Sequence, residues 1–375
     1  YSSYFDYFLS INSYVITLIV SFITGLTLVF VGKNSEKKIN FIEQLLLIIL
    51  VYLVISFFIA IPFYLSNYQV TLLNSLFEAI SGITGTGFSV FKNIKYLDPT
   101  LILWRSSSQW IGGLYFLFFL IFIFSNKQFN YKMNDLAYFG DGRIYSETNI
   151  KDFLLKIFIL YCVLSFIIFL LLNISEVRMF NSLNLSMSLI SAGGFIPTNS
   201  LDKIIRSNPQ KLIFILSLLI SMLNFFLILN IFRKKVIFRE HKEDFYLIAL
   251  SIFLILLVYL NNYSGLNIII SVLSSLSNSG LSLINSNNNL SLYFILITVI
   301  GGSLISNTSG IKFTRIYVLL KTASSEIIKL ISPNSIINKN IFNSEKKITD
   351  DNIKFSFLIF ISFFISLFIL SGILI

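Results

Sequence analysis

One cysteine and one histidine are too few for the chemistry that depends on them. Cys162 alone cannot found a disulfide framework. Together with His241 it cannot assemble a metal site or a nucleophilic dyad of ordinary type. Charge is scarce as well. Only 12% of the 375 residues are Asp, Glu, Lys or Arg, well short of the ~25% of a soluble domain. Disorder needs low hydrophobicity and high charge, and is excluded. There is no glycine-rich loop of the Walker kind, so the chain does not itself hydrolyse ATP. Residues 1–10 show no basic segment before a short apolar core, so no signal peptide is expected there. No span carries the paired acids, nucleophile with base, or metal ligands of an intramembrane enzyme.

What is abundant is apolar surface: 55% of residues are hydrophobic and 16% aromatic, in long uninterrupted stretches. The formal charge of +10 sits in short runs between those stretches, which fits membrane topology better than nucleic-acid binding. The fold class is therefore an all-α polytopic membrane protein with the lipid bilayer as its surroundings. The chain starts at Tyr1 and stops at Ile375 within an apolar run, which leads us to expect a piece of a longer chain.

Helices spanning a bilayer need about 20 apolar residues. Candidates cover 11–31, 41–65, 100–124, 152–173, 210–232, 245–262, 290–320 and 353–375. Three segments between them, 70–90, 178–198 and 264–284, are too short and too rich in Ser, Thr, Asn and Gly to cross. They read as re-entrant loops. If these dip in from outside, the inner connections are 32–40, 125–156, 233–244 and 321–354. With Lys312 and Arg315 these connections hold 21 of the 28 Lys and Arg residues, a threefold excess that orients the chain.

Aligning glycines exposes a repeat. The segments are Ser81-Gly82-Ile83-Thr84-Gly85-Thr86-Gly87-Phe88, Ser188-Leu189-Ile190-Ser191-Ala192-Gly193-Gly194-Phe195 and Ser274-Ser275-Leu276-Ser277-Asn278-Ser279-Gly280-Leu281. Each unit reads as span, re-entrant segment, span, with short helices expected over 72–83, 180–190 and 265–276. Non-helical backbone at membrane depth is tolerated only where it is buried in protein or lines a water-filled cavity. Rings of carbonyls with Thr or Ser hydroxyls replace a cation's hydration shell, and a short helix aims its partially negative C-terminus at the same place. Candidate ion-binding residues are Thr84, Gly85, Thr86 and Gly87, then Ser191, Ala192, Gly193 and Gly194, then Ser277, Asn278, Ser279 and Gly280. The alternative is a set of small-residue packing motifs between helices.

These residues resemble the Trk/Ktr superfamily of potassium transporters, most closely the TrkH/TrkG type. Further matches are Trp104-Arg105-Ser106-Ser107-Ser108-Gln109-Trp110-Ile111-Gly112-Gly113, Ile300-Gly301-Gly302-Ser303 and Ser306-Asn307-Thr308-Ser309-Gly310-Ile311-Lys312 with Arg315. The resemblance implies four membrane-pore-membrane repeats around a pseudo-fourfold cation pore, after an N-terminal helix pair. On that plan 1–32 is the remnant of the pair. Repeats one to three are 41–124, 150–232 and 245–321. Residues 322–352 form a cytoplasmic connection, and 353–375 the first helix of a truncated repeat four. Family filters usually read Thr-Thr-Thr-Gly. Gly85, the Ser277-Asn278-Ser279-Gly280 run and Ser309 (usually Gly) depart from the pattern, which bears on K⁺ over Na⁺ selectivity.

The resemblance also implies a gate in the break around Gly301, Gly302, Ser309, Gly310, Lys312 and Arg315. A broken helix has competing packings, which suits a gate. The two cations either oppose passing ions or snorkel to the inner surface. Glu78, an intramembrane carboxylate in the first short helix, needs a partner. Arg105 is the nearest in topology, and the pair would brace the first filter, the alternative being a cation site in the mouth. Gly112-Gly113 reads as close helix packing or a kink, Trp104 and Trp110 as interfacial anchors, and His241 as part of a solvated inner loop. By resemblance the function is K⁺ uptake across a bacterial inner membrane, as free flow or symport. The partners would be a second subunit in a homodimer and a cytosolic nucleotide-binding regulatory subunit, with the basic loops 233–242 and 321–354 as docking surfaces. No cofactor is expected beyond the transported K⁺. A sodium or non-selective cation transporter of the same fold, and a secondary transporter of an organic solute, are the alternatives.

Overall fold

Apolar runs of span length form helices, and the polar interruptions end them. The computed structural model describes residues 10–35, 40–125, 150–232, 241–260, 265–283, 288–334, 338–343 and 347–374. The helices are α1 (Ile11–Gly32), α2 (Phe41–Tyr64), α3 (Leu72–Ile83), α4 (Pro99–Ser125), α5 (Ile150–Ile174), α6 (Met179–Ile190), α7 (Asn208–Met222), α8 (Phe225–Phe232), α9 (Lys242–Leu260), α10 (Leu266–Ser277), α11 (Asn288–Ile300), α12 (Phe313–Ile331) and α13 (Asp350–Leu374). Helices α1, α2, α5, α9 and α13 are each long and apolar enough to cross a bilayer, and α7 with α8 would make a sixth span. The protein is a multi-pass helical membrane protein.

Two boundaries differ from the sequence reading. Residues 210–232 form no continuous span: α7 and α8 meet at 107° across a two-residue break. Neither Gly nor Pro lies at the corner. Asn224 makes it, its Oδ1 accepting the Phe226 N–H at 2.9 Å as a helix N-cap does. Apolar flanks hide such a corner from hydropathy. In the assigned inner connection, residues 321–331 continue α12 as helix.

The chain divides into two compact units. One comprises 1–119 and 164–213, the other 120–163 and 214–375. In the first, Ile59, Ala60 and Phe63 of α2 pack with Ala79 and Ile83 of α3 and with Leu97, Leu101 and Ile102. Thr71 caps α3, its Oγ1 accepting the Asn74 N–H at 3.3 Å. Helix α4 crosses the end of α3 at Gly112, where a Cβ would stand 1.9 Å from the Ile83 carbonyl oxygen. Only a residue without a side chain allows that approach. Trp104 and Trp110 also join helices. Their indole N–H groups donate to Ile59 O at 3.0 Å and to Ser165 Oγ at 2.9 Å, tying α4 to α2 and α5. Helix α1 buries only Ser13 and Thr17 and turns its apolar side chains outward, as lipid requires.

In the second unit, Tyr293 of α11 donates its hydroxyl to Leu254 O of α9 at 2.9 Å. An aromatic stack follows: the rings of Tyr317 and Phe342 are 4.2 Å apart, and Phe313 stacks on Phe342 at 5.7 Å. These rings pack around the start of α12.

Candidate functional site

Three short helices, α3, α6 and α10, end alike. Ser81 O accepts the Thr86 N–H at 3.0 Å, and Gly82 O that of Gly85 at 3.0 Å. Ser188 O accepts the Gly193 N–H at 2.8 Å, and Leu189 O that of Ala192 at 3.1 Å. In the second unit Ser274 O accepts the Ser279 N–H at 3.1 Å, and Ser275 O that of Asn278 at 3.2 Å. This pair of bonds is the Schellman closure, which needs a left-handed residue just past the helix. The residues there are Gly85 (φ +70°), Ala192 (φ +53°) and Asn278 (φ +59°). Gly85 and Asn278, two departures from the family pattern, thus occupy a backbone turn that glycine and asparagine tolerate best.

The closure orients carbonyls. In a trans peptide the C=O points opposite to the N–H. The N–H groups of Gly85, Thr86 and Gly87 turn back to Gly82 and Ser81. The carbonyls of Thr84, Gly85 and Thr86 therefore face away from α3. By the same geometry those of Ser191 and Ala192 face away from α6, and those of Ser277 and Asn278 away from α10. Gly193 differs, because its carbonyl accepts the Ser188 hydroxyl at 3.0 Å. Within the first unit two of the segments meet backbone to backbone: a Cβ on Gly87 (φ +80°) would lie 2.7 Å from Gly194 Cα.

Glu78 and Arg105 are brought together in the same unit. Arg105 Nε donates to Glu78 Oε1 at 2.7 Å, and both side chains are buried. The carboxylate also accepts the Ser89 hydroxyl at 3.0 Å and the Val90 N–H at 2.9 Å, just beyond Phe88. The guanidinium carbon lies 4.2 Å from the centre of the Phe195 ring, next to Gly194.

Gln109 is a residue whose role the sequence reading missed. Its Oε1 accepts the Ser188 hydroxyl at 3.1 Å and the Phe195 N–H at 3.2 Å. A Cβ on Gly193 would stand 2.4 Å from that oxygen. The available signal was spacing: Arg105 and Gln109 are four apart on α4 and share a face.

The second unit holds the break between α11 and α12. Gly301 (φ +72°) and Gly310 (φ +89°) face each other, a Cβ on Gly310 falling 3.0 Å from Gly301 Cα. Lys312 does not snorkel. Its Nζ is buried and donates to Ser306 O at 3.1 Å, Ser306 Oγ at 3.1 Å, Thr308 O at 2.5 Å and Thr308 Oγ1 at 3.3 Å. Its own φ is +79°, a strained value for a side-chain-bearing residue. Arg315 Nη1 donates to Ile311 O at 3.1 Å, and its guanidinium lies 5.8 Å from the Phe355 ring centre. His241 is not solvated. It is buried, with Nε2 2.9 Å from Asn230 Nδ2. Residues 233–240 of the assigned docking loop lie outside the described residues. Among the described residues no group of three or more His, Cys, Asp or Glu is placed to hold a metal ion.

The family model described as "TrkH: Cation transport protein" matches residues 10–260. The chain belongs to the TrkH family. An uncharacterized cation transporter of Methanocaldococcus jannaschii is 27% identical over 317 residues, covering 82% of this chain and 65% of that relative. The Trk system potassium uptake protein TrkG of Escherichia coli K12 is 23% identical over 351 residues, 88% of this chain and 72% of the relative. This TrkH-family chain thus spans about two thirds to three quarters of the length of these relatives. The crystal structure of the potassium transporter TrkH from Vibrio parahaemolyticus superposes with a TM-score of 0.75 at 21% identity, covering 89% of this chain and 72% of that one. That likeness establishes the shared fold. The relatives are transporters by name, and the family is non-enzymatic.

Proposed function

We propose that this TrkH-family protein takes up K⁺ through filter segments 84–87, 191–194 and 277–280. The observation that carries the reading is the repeated closure of α3, α6 and α10, which turns consecutive carbonyls away from each helix end. Outward-turned carbonyls without a helical partner suit a desolvated cation. The membrane potential, inside negative, supplies about 2.3 kcal/mol per charge per 100 mV, enough to drive entry without a second substrate. The break at 301–312 acts as the gate, and Glu78 with Arg105 braces the first filter. The repeats are 41–124, 150–232 and 245–321, as the family plan implies. The protein works in a bacterial inner membrane as a homodimer with a cytosolic nucleotide-binding regulatory subunit, the arrangement the resemblance implies. A sodium or non-selective cation transporter of the same fold is the second reading, favoured by the hydroxyl-rich Ser277-Asn278-Ser279-Gly280 segment.

The test is Rb⁺ uptake and growth at low K⁺ in a bacterium lacking its K⁺ uptake systems and expressing the full-length protein. Rescue that is lost with Gly87→Ser, while the variant still accumulates in the membrane, supports the filter reading. Uptake that Na⁺ replaces favours the second reading. Absence of uptake of either ion, with the protein in the membrane and a cytosolic regulatory subunit co-expressed, overturns both.

A further inference from the structure

Glu243 and Asp244 open α9, and each carboxylate holds a different helix break. Glu243 Oε1 accepts the Leu304 N–H at 2.8 Å, within the loop between α11 and α12, and the Thr314 hydroxyl at 2.5 Å, just past it in α12. Asp244 Oδ1 accepts the Asn224 N–H at 2.9 Å, at the corner between α7 and α8. Its Oδ2 lies 3.6 Å from His241 Nδ1, and His241 in turn reaches Asn230 of α8. All of these side chains are buried. The two breaks are also joined directly. Ser303 N–H donates to Met222 O at 2.9 Å, and Phe225 N–H donates to Ile305 O at 3.0 Å. A Cβ on Gly302 would stand 2.7 Å from Met222 O, so the backbones leave no slack between them.

A helix break exposes backbone donors that must be paired when buried. Here the Leu304 and Asn224 donors are each answered by a carboxylate from the same two-residue stretch of a third helix. Acids in the first turn of a helix are favoured by its dipole, which reaches them through their own backbone. These two point their oxygens at other segments instead.

We infer that Glu243 and Asp244 are positioning residues that lock the 301–312 loop and the 222–225 corner into one moving body. The loop then does not shift alone: its displacement carries the α7–α8 corner with it. This rests on the reading of 301–312 as a gate, but the coupling itself is measurable without transport.

The experiment uses the full-length protein in membrane vesicles, with Cys162→Ser as background and a single reporter cysteine at Leu304→Cys or Leu223→Cys. The rate of modification by a water-soluble maleimide is read at each site. Glu243→Ala is expected to raise labelling at both sites by about tenfold or more, and Asp244→Ala likewise. Glu243→Gln keeps an Oε1 acceptor for both donors and is expected to stay within about twofold of the background, as is Asp244→Asn. If Glu243→Ala or Asp244→Ala yields no folded protein, Thr314→Val, which removes one of the two bonds to Glu243, carries the test with a several-fold rise at both reporters. The inference is overturned if each substitution loosens only its own break, or if Ala and Gln at 243 label alike. Intact coupling in a protein that moves no cation would sink the gate reading and leave the latch standing. Normal uptake with uncoupled reporters would do the reverse.

Discussion

Arg105 Nε stands 2.7 Å from Glu78 Oε1, while Arg105 Nη1 and Nη2 have no hydrogen-bond partner among the described residues and the guanidinium rests against the Phe195 ring. One ion pair therefore touches the chain leaving segment 84–87, through Ser89 and Val90, and Phe195, which follows segment 191–194. A buried charge stripped of its partner costs about 3–5 kcal/mol, whereas replacing both partners by apolar groups is often near neutral. Glu78→Leu or Arg105→Met alone is expected to lower folded yield and melting temperature sharply. Glu78→Leu combined with Arg105→Met is expected to recover most of the loss. Detergent-solubilised protein, followed by thermal unfolding, gives the double-mutant cycle; a combined loss equal to the sum of the single losses would show that the two side chains do not act as a pair. Normal assembly and transport in Glu78→Gln would remove the brace.

The left-handed position that closes each short helix ranks substitutions by sign. A residue with a side chain costs roughly 1–2 kcal/mol there relative to glycine. Gly85→Ala is expected to destabilise by about that amount, with little steric addition, since the new Cβ would be 3.8 Å from Ser191 O. Gly87→Ala adds a clash, its Cβ lying 2.7 Å from Gly194 Cα, and is expected to be the more damaging. Ala192→Gly is expected to stabilise by several tenths to 1 kcal/mol, offset in part by unfolded-chain entropy. Melting temperatures of the three variants check the order, and a stabilising Gly85→Ala would contradict the closure.

Legibility in the sequence followed what each signal depends on. Long apolar runs placed 11–31, 41–65, 152–173, 245–262 and 353–375 within a few residues of α1, α2, α5, α9 and α13, because lipid leaves hydropathy little competition, whereas 210–232 and 290–320 are broken. The short helices 72–83, 180–190 and 265–276 were legible through small polar residues at their ends. Their shared closure was not, since Gly85, Ala192 and Asn278 look unrelated as letters and are alike only in φ. The corner at Asn224 was hidden because capping by one asparagine does not disturb an apolar average. Glu243 and Asp244 were hidden for the opposite reason. They sit at the end of a charged run, Arg239-Glu240-His241-Lys242, which reads as a solvated loop. Burial depends on what packs over such residues, and that comes from segments some 60 positions later, around Leu304 and Thr314.

Gln109 offers a test of segment 191–194 as a proposed filter segment that leaves 84–87 alone. Its Oε1 holds Ser188 and the Phe195 N–H, so Gln109→Leu strands a buried donor at a cost of about 1–3 kcal/mol. We expect folded protein with weakened discrimination between Rb⁺ and Na⁺, read as a several-fold change in Na⁺ competition against Rb⁺ uptake. Gln109→Glu keeps the acceptor and is expected to lie closer to the unsubstituted protein. Unchanged competition in Gln109→Leu would separate this side chain from ion selection.

Lys312 tests whether the broken segment is held shut from within. Its ammonium answers four oxygens of Ser306 and Thr308, and its left-handed backbone is a conformation a lysine adopts only under constraint. The contacts therefore oppose a local strain, and removing them lets the strain act. In Lys312→Met the two carbonyls lose a charge-assisted donor, so the closed arrangement loses about 1–3 kcal/mol. If the unliganded gate is mostly closed, that difference raises the open fraction about five- to 150-fold. Rb⁺ uptake without the proposed regulatory subunit is expected to rise by roughly tenfold. Lys312→Gly removes the ammonium and the backbone strain together, so it is expected to open less than Lys312→Met. Equal leak in the two variants would mean the strain does not drive the gate. Leak in neither, with normal regulated uptake, would mean the lysine does not hold it.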